Sequence, residues 1–248
     1  MATRRNTRTS TKTTSPKASP TKGKESYKNP LASLSFEGKI TLNSEQKEAA
    51  ASIFNPDSIT VLTGEAGTGK TAVSMYTAFK LLKTKYIKQV VVTRPTVEAG
   101  GRNLGFMPGE LDDKLGVYLE PFREFCALFG NSGPHTFDDM VRMGQLKPVA
   151  FQFLRGVNFD DETLVIVDEA ENCNLDEVLL ILTRMKEGSR IVFTGDLRQK
   201  DTRKSERSGL DHLLKVATRL NYIRHHNLVI NERSPRIREI VNTWDSML

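Results

Sequence analysis

Short blocks of consecutive apolar residues punctuate this chain. Between them, apolar positions return every three or four residues. The blocks are 58–63 (SITVLT), 89–93 (QVVVT), 164–169 (LVIVDE) and 190–194 (RIVFT). Each is too short for a helix and rich in β-branched residues, so each predicts a strand covered on both faces. Helical spacing runs over 43–54 (NSEQKEAAASIF), where Asn43 or Ser44 serves as cap. It returns from 70 to about 84, through Val73, Tyr76, Thr77, Leu81 and Leu82. Further helices are expected over 117–129, 136–144, 176–186, 209–219 and 235–247, with a weaker last strand near 226–230. The stretch 94–116 is too rich in Gly and Pro to be one helix. Strands alternating with helices predict an α/β fold with a mostly parallel sheet. Its ligands then sit beyond the C-terminal strand ends.

Charge divides the chain unevenly. Residues 1–28 hold eight Lys/Arg and one Glu, a net of +7, against +6 for all 248 residues. The remainder is therefore close to neutral, at −1. The segment is Ser/Thr/Lys/Pro-rich and almost free of large apolar groups, so residues 1–29 are expected to be a disordered basic tail. The folded domain spans 30–248. The tail is suited either to loose nucleic-acid binding by counterion release or to a plain solubilising role. No apolar run follows its arginines as in a signal peptide, and none approaches a membrane span. Cys126 and Cys173 lack metal-type spacing and suggest no disulfide framework. A cytoplasmic location is expected.

Residues 64–71, GEAGTGKT, match the phosphate-binding pattern G-x-x-x-x-G-K-[ST]. The alternative is a Gly-rich turn with an incidental lysine, but a strand precedes the loop and a helix follows it. Gly64, Gly67 and Gly69 allow tight turning and close approach to phosphate oxygens. With Glu65, Ala66 and Thr68 they form the loop whose N–H groups cradle the anion. Lys70 supplies charge to the β/γ-phosphates, and the Thr71 hydroxyl is a Mg²⁺ ligand. ATP and Mg²⁺ are the expected cofactors. At the end of the strongest strand, Asp168 is expected to hold Mg²⁺ and Glu169 to deprotonate the attacking water.

Other positions carry competing readings. Gln199, in GDLRQKD, is placed to reach the γ-phosphate or its water, with Asp196 in support; a polar loop is the alternative. Gln46 either reads the adenine edge or is an exposed helical Gln. Arg233 is the best late arginine for transition-state charge, with Arg236 and Arg238 as rivals. Arg94, Lys147 and Arg155 suit a sugar–phosphate backbone. Phe106, Phe151, Phe153 and Phe159 either stack bases or pack in the core, and core packing is the commoner use. The four histidines show no ligand spacing.

These pieces together resemble the PhoH-like ATPases. The resemblance rests on GEAGTGKT, TRPTVEAGGRNLGFMPGELDDKL, AFQFLRGVNFDDETLVIVDEAEN, LTRMKEGSRIVFTGDLRQKD, SGL at 208–210 and RSPRIREIV, in family order from about Asn43 to Trp244. It implies a single RecA-like core related to superfamily 1 helicase motors, ATP hydrolysis with Mg²⁺, and RNA or single-stranded DNA as partner. It implies for Lys70, Thr71, Asp168, Glu169, Gln199 and Arg233 roles like those argued above. Glu171 stands where the family usually has Gln, and Gly101 where it usually has an acid. Only one motor domain is visible, so Arg233 or Arg236 is expected to act on a neighbouring copy's ATP, in a homo-oligomer with a hexamer favoured. Three functions compete: a nucleic-acid-stimulated ATPase, helicase or translocase; a nucleotide-switched binding module with little turnover; and a small-molecule kinase. The Asp168–Glu169 pair and Gln199 favour water as the acceptor.

Overall fold

Successive residues of a strand face opposite sides of its sheet, and in the central strands both sets are mostly apolar. The computed structural model describes residues 40–56, 58–95, 111–130, 133–199, 208–232 and 235–247. In chain order they form α1 (Ser44–Phe54), β1 (Ile59–Gly64), α2 (Lys70–Lys83), β2 (Gln89–Thr93), α3 (Leu111–Phe129), α4 (Thr136–Arg142), β3 (Leu146–Pro148), β4 (Thr163–Val167), α5 (Leu175–Leu182), β5 (Arg190–Gly195), α6 (Gly209–Ala217), β6 (Ile223–Leu228) and α7 (Pro235–Ser246). The six strands lie in the order β3-β2-β4-β5-β1-β6, and every pairing is parallel.

Alternation sorts the core into two halves. Leu62, Val90, Val92, Leu164, Ile166 and Val192 face one side, where Ile53 of α1, Phe79 of α2, Phe122 and Phe129 of α3 and Met140 of α4 cover them. Val61, Val91, Val165, Val167, Ile191 and Phe193 face the other. There they meet Val178 and Ile181 of α5, Leu210 and Leu213 of α6, and Phe151 and Leu154 of a 3-10 turn over Phe151–Gly156. Parallel strands need such two-sided cover because each crossover helix must return over a face. Cys126 is buried in the first half and Cys173 in the second, both as free thiols. Burial pushes the Cys126 thiol up to about 12, which leaves it unreactive.

The four long apolar blocks lie where their patterns predict. The departures have local causes. β6 begins at Ile223 instead of 226, because an edge strand pairs on one side only and its sequence IRHHNL buries only its two ends. β3 is three residues long and escapes any periodicity. α3 starts at Leu111, six residues before the expected start, and carries Pro121 inside it. α5 stops at Leu182, four residues early. The tail, residues 1–39, and most of the Gly/Pro-rich stretch, 96–110, lie outside the described residues. Among the described residues no helix is long and apolar enough to cross a membrane.

Phe79 is fully buried and meets Phe129 edge-on, with ring centroids 5.4 Å apart. Phe79→Ala is expected to cost about 3–5 kcal/mol of unfolding free energy in urea melts. Leu179→Ala, at a side chain that is mostly exposed, is expected to stay within about 0.5 kcal/mol.

Candidate nucleotide site

The loop after β1 turns on two glycines whose backbone conformation strains any other residue. Gly64 has φ +149°, and a Cβ there would stand 2.3 Å from the Leu228 carbonyl oxygen. Gly69, the N-cap of α2, has φ +83°, and its Cβ would stand 2.7 Å from Gln46 Nε2. The 14-residue helix α2 then starts at Lys70, aiming the positive end of its dipole at the loop. Lys70 Nζ donates to the carbonyl oxygens of Gly64 (2.6 Å) and Glu65 (3.0 Å). The Thr68 hydroxyl donates to Glu65 O at 2.9 Å and ties the turn across.

Asp168 follows β4 and is buried. A carboxylate taken out of water needs donors around it. Two hydroxyls supply them. Thr71 of α2 donates to Asp168 Oδ1 at 2.9 Å, and Thr194 of β5 donates to the same oxygen. Three elements thus meet at one charge. A hard-oxygen pair, one hydroxyl and one carboxylate beside a phosphate loop, suits Mg²⁺, which takes one or two carboxylates and completes its shell with water and phosphate. The residues fit that ion.

Glu169 adopts a left-handed backbone, φ 52° and ψ 42°. Such a conformation in a non-glycine residue costs about 1–3 kcal/mol and persists only where the surroundings impose it. Its carboxylate is ion-paired with Arg94, which leaves β2, the neighbouring strand. Asp196 after β5 accepts from the loop amide of Ala66 at 3.1 Å and from Arg198 N at 3.0 Å. Arg198 in turn is ion-paired with Glu65. Gln199 is exposed at the rim. Lys70, Thr71, Arg94, Asp168, Glu169 and Gln199 line one cavity of about 330 Å³, with Pro121 and Phe125 of α3 as an apolar wall. That volume is within the usual range for a ligand pocket.

Other candidates stand as follows. Gln46 is buried. It completes the capping box of α1, its Oε1 accepting from Asn43 N at 3.1 Å, and its Nε2 donates to Thr68 O at 3.1 Å. The amide thus braces the loop, and reading an adenine edge would require one of those bonds to be exchanged. Arg233 lies outside the described residues, as do Phe106 and the side chain of Arg238. Arg236 is exposed on α7. Phe151 and Phe159 belong to the core, whereas Phe153 is exposed beside the exposed Arg155. Lys147 is exposed on β3.

Two features had little or no sequence signal. Thr194 reads as an ordinary strand residue until the sheet sets it against Asp168. Glu171 was visible only as a departure from the family pattern. It is buried in the cavity wall, and its Oε2 has no hydrogen-bond partner. Burial, with the Asp168 charge adding to it, pushes its carboxyl up to about 7, against the opposing pull of backbone N–H groups and Lys70.

A phosphate loop, a buried Asp and an acidic neighbour at the C-terminal ends of β1 and β4, with β5 between them, define a P-loop nucleotide-binding protein with a RecA-like sheet. The sequence model of the family described as PhoH-like protein matches residues 39–245. The chain belongs to that family. It is 34% identical over 183 residues to the PhoH-like protein of Mycobacterium leprae, covering 73% of this chain and 51% of that one. With the Bacillus subtilis PhoH-like protein it shares 35% over 185 residues, 73% of this chain and 56% of the relative. The chain thus spans about half the length of the curated relatives it matches. A solved Pif1 helicase from Bacteroides, in complex with ADP-AlF3 and single-stranded DNA, aligns over 82% of this chain and 46% of its own at 16% identity, with a TM-score of 0.45.

The Glu171 carboxyl sets a pH dependence. Its folded-state pKa lies above the ordinary 4.5, near 7. Between those values the native protein keeps a proton that the unfolded chain has lost, so stability falls as pH rises through the window and levels off above it. The term is at most about 3 kcal/mol. Glu171→Gln is expected to melt higher than the parent at pH 8, with the gap closing by pH 5, in thermal scans without metal or nucleotide. An equal gap at both pH values would rule the carboxyl out as its source.

Proposed function

We propose that the chain hydrolyses ATP with Mg²⁺ and that RNA or single-stranded DNA stimulates the turnover. One observation carries this reading: Lys70, Thr71, Asp168 and Glu169, from two distant sequence blocks, line a single cavity at the strand ends. The loop amides and the α2 N-terminus hold the β- and γ-phosphates, and Lys70 turns from the loop carbonyls to them. Thr71 and Asp168 hold Mg²⁺, which when bound offsets phosphate charge. Glu169 accepts a proton from water as the water oxygen bonds to the γ-phosphorus and the bond to the ADP oxygen breaks. Gln199 orients that water from the rim, through an amide able to donate and accept at once. Arg94 and Arg155, with the exposed Phe153, support a nucleic-acid track at the ends of β2 and β3.

The reading extends to assembly. Arg233 or Arg236 of one copy completes the site of the next, in a ring for which six copies is the favoured number. The exposed Ile240 and Trp244 on α7, with the exposed Met247 just past its end, fall at helical spacing and support a packing partner for that helix.

Lys70→Ala is expected to abolish turnover. Glu169→Gln is expected to lower kcat by about 10²–10⁴ while ATP still binds. Both are read by phosphate release at low salt, with and without single-stranded RNA or DNA. ATP binding with negligible turnover in every condition would replace this reading with that of a nucleotide-switched binding module. Trp244→Glu is expected to dissociate the assembly in light scattering and to lower turnover with it. A monomeric variant working at full rate would remove the shared arginine.

A further inference from the structure

The proposed base is not free in this structure. Glu169 Oε1 accepts from Arg94 Nη2, so the carboxylate is turned to the guanidinium and one of its two oxygens is already paired. The contact is fixed by the sheet. Thr93 pairs with Val167 in register, and Asp168 N donates to Thr93 O at 2.9 Å. The first residue past β2 therefore stands beside the first residues past β4. The left-handed backbone at Glu169 turns its side chain within reach of that neighbour. Lys70, the other cation in the cavity wall, is turned to the loop carbonyls of Gly64 and Glu65.

Arg94 also faces a second class of anion. Its side chain is 21% exposed, against 38% for Glu169, so the guanidinium is reachable without unfolding. The next strand, β3, is tied to β2 by Val149 N donating to Val92 O at 3.0 Å. It runs into the turn that exposes Phe153 and Arg155. A cation and an aromatic ring at the adjacent strand end suit a single strand, whose phosphates pair with cations and whose bases stack. Guanidinium is the side chain that binds carboxylate and phosphate with one planar fork, so it can exchange one for the other.

We propose that Arg94 is a positioning residue that restrains Glu169 until a nucleic-acid phosphate takes over the guanidinium, which frees the carboxylate for the attacking water. The proposal rests on the reading of the chain as a nucleic-acid-stimulated ATPase. It makes the stimulation a release of restraint and not the building of a new contact at the phosphates. The coupling travels one residue past each of two hydrogen-bonded strands, with no domain movement required.

The test is steady-state phosphate release at saturating ATP and Mg²⁺ by the full chain, titrated with oligo(U) RNA and oligo(dT) DNA. Wild type, Arg94→Ala, Arg94→Lys and Glu169→Gln are compared. Arg94→Ala is expected to raise unstimulated kcat about tenfold, the scale of one charge-assisted hydrogen bond, with KM for ATP unchanged and little further stimulation. Arg94→Lys is expected to restore part of the restraint. An unstimulated rate that is unchanged or lower in Arg94→Ala overturns the proposal. So does a variant that needs more oligonucleotide yet reaches the same maximum, since Arg94 would then be a phosphate contact only. Thermal melts identify a variant that fails to fold, and Arg94→Gln then serves in its place. If wild type hydrolyses ATP but neither oligonucleotide accelerates it, the nucleic-acid reading fails by itself. The restraint is then decided by the unstimulated rate of Arg94→Ala alone. If wild type is inactive throughout, turnover gained in Arg94→Ala supports the restraint and its absence overturns it.

Discussion

The buried carboxylate of Asp168 organises everything around it. A charge removed from water must be surrounded by donors, and the donors here come from the first turn of α2 and the end of β5. That requirement fixes how far β1, β4 and β5 extend relative to one another. It also sets the start of α2 opposite the end of β4. The phosphate loop, which connects β1 to α2, is thereby suspended between two elements that the carboxylate already holds. Remove the charge and the loop keeps its glycines but loses the reason for its position.

The division of labour between the two ends and two faces of the sheet follows from parallel pairing. Every strand delivers its C-terminal residue to the same edge, so Gly64, Arg94, Asp168 and Asp196 arrive together although more than a hundred residues separate the first from the last. The faces are devoted mainly to burial, and the buried Arg190 at the start of β5 is tied to the carbonyl oxygens of Phe54 and Asp161. Chemistry is confined to the edge, where backbone groups that no longer belong to the ladder are free to bind and turn.

Much of this was legible in the sequence because its two strongest signals are local. A β-branched run of four or five residues announces a two-sided strand, and GEAGTGKT announces its own geometry. The apolar blocks 164–169 and 190–194 placed Asp168 and Asp196 on one edge as soon as the sheet was taken to be parallel. What was not legible depends on contacts between distant segments. The burial of Gln46 arises from α1 lying against the loop, and nothing in NSEQKEAAASIF distinguishes it from an exposed helical Gln. The Arg94–Glu169 pair needs the β2–β4 register. The split among the phenylalanines, with Phe151 and Phe159 inside and Phe153 outside, needs a 3-10 turn, whose three-residue period a helix or strand template does not capture.

The brace at the start of α1 has a consequence beyond packing. Gln46 is at once the third residue of a capping box and a ligand of the Thr68 carbonyl. Asn43, its partner in that box, also donates to Glu232 at 2.8 Å. Glu232 N in turn reaches Gly67 O at 2.9 Å, and Glu45 accepts from Val229 N at 2.9 Å and Ile230 N at 3.2 Å. The first turn of α1, the phosphate loop and the lead-in to α7 therefore share one set of hydrogen bonds. A change in the loop is felt as fraying or tightening of a helix end some twenty residues earlier in the chain. Amide exchange at the start of α1 becomes a remote gauge of the loop's condition, legible without any label at the site itself.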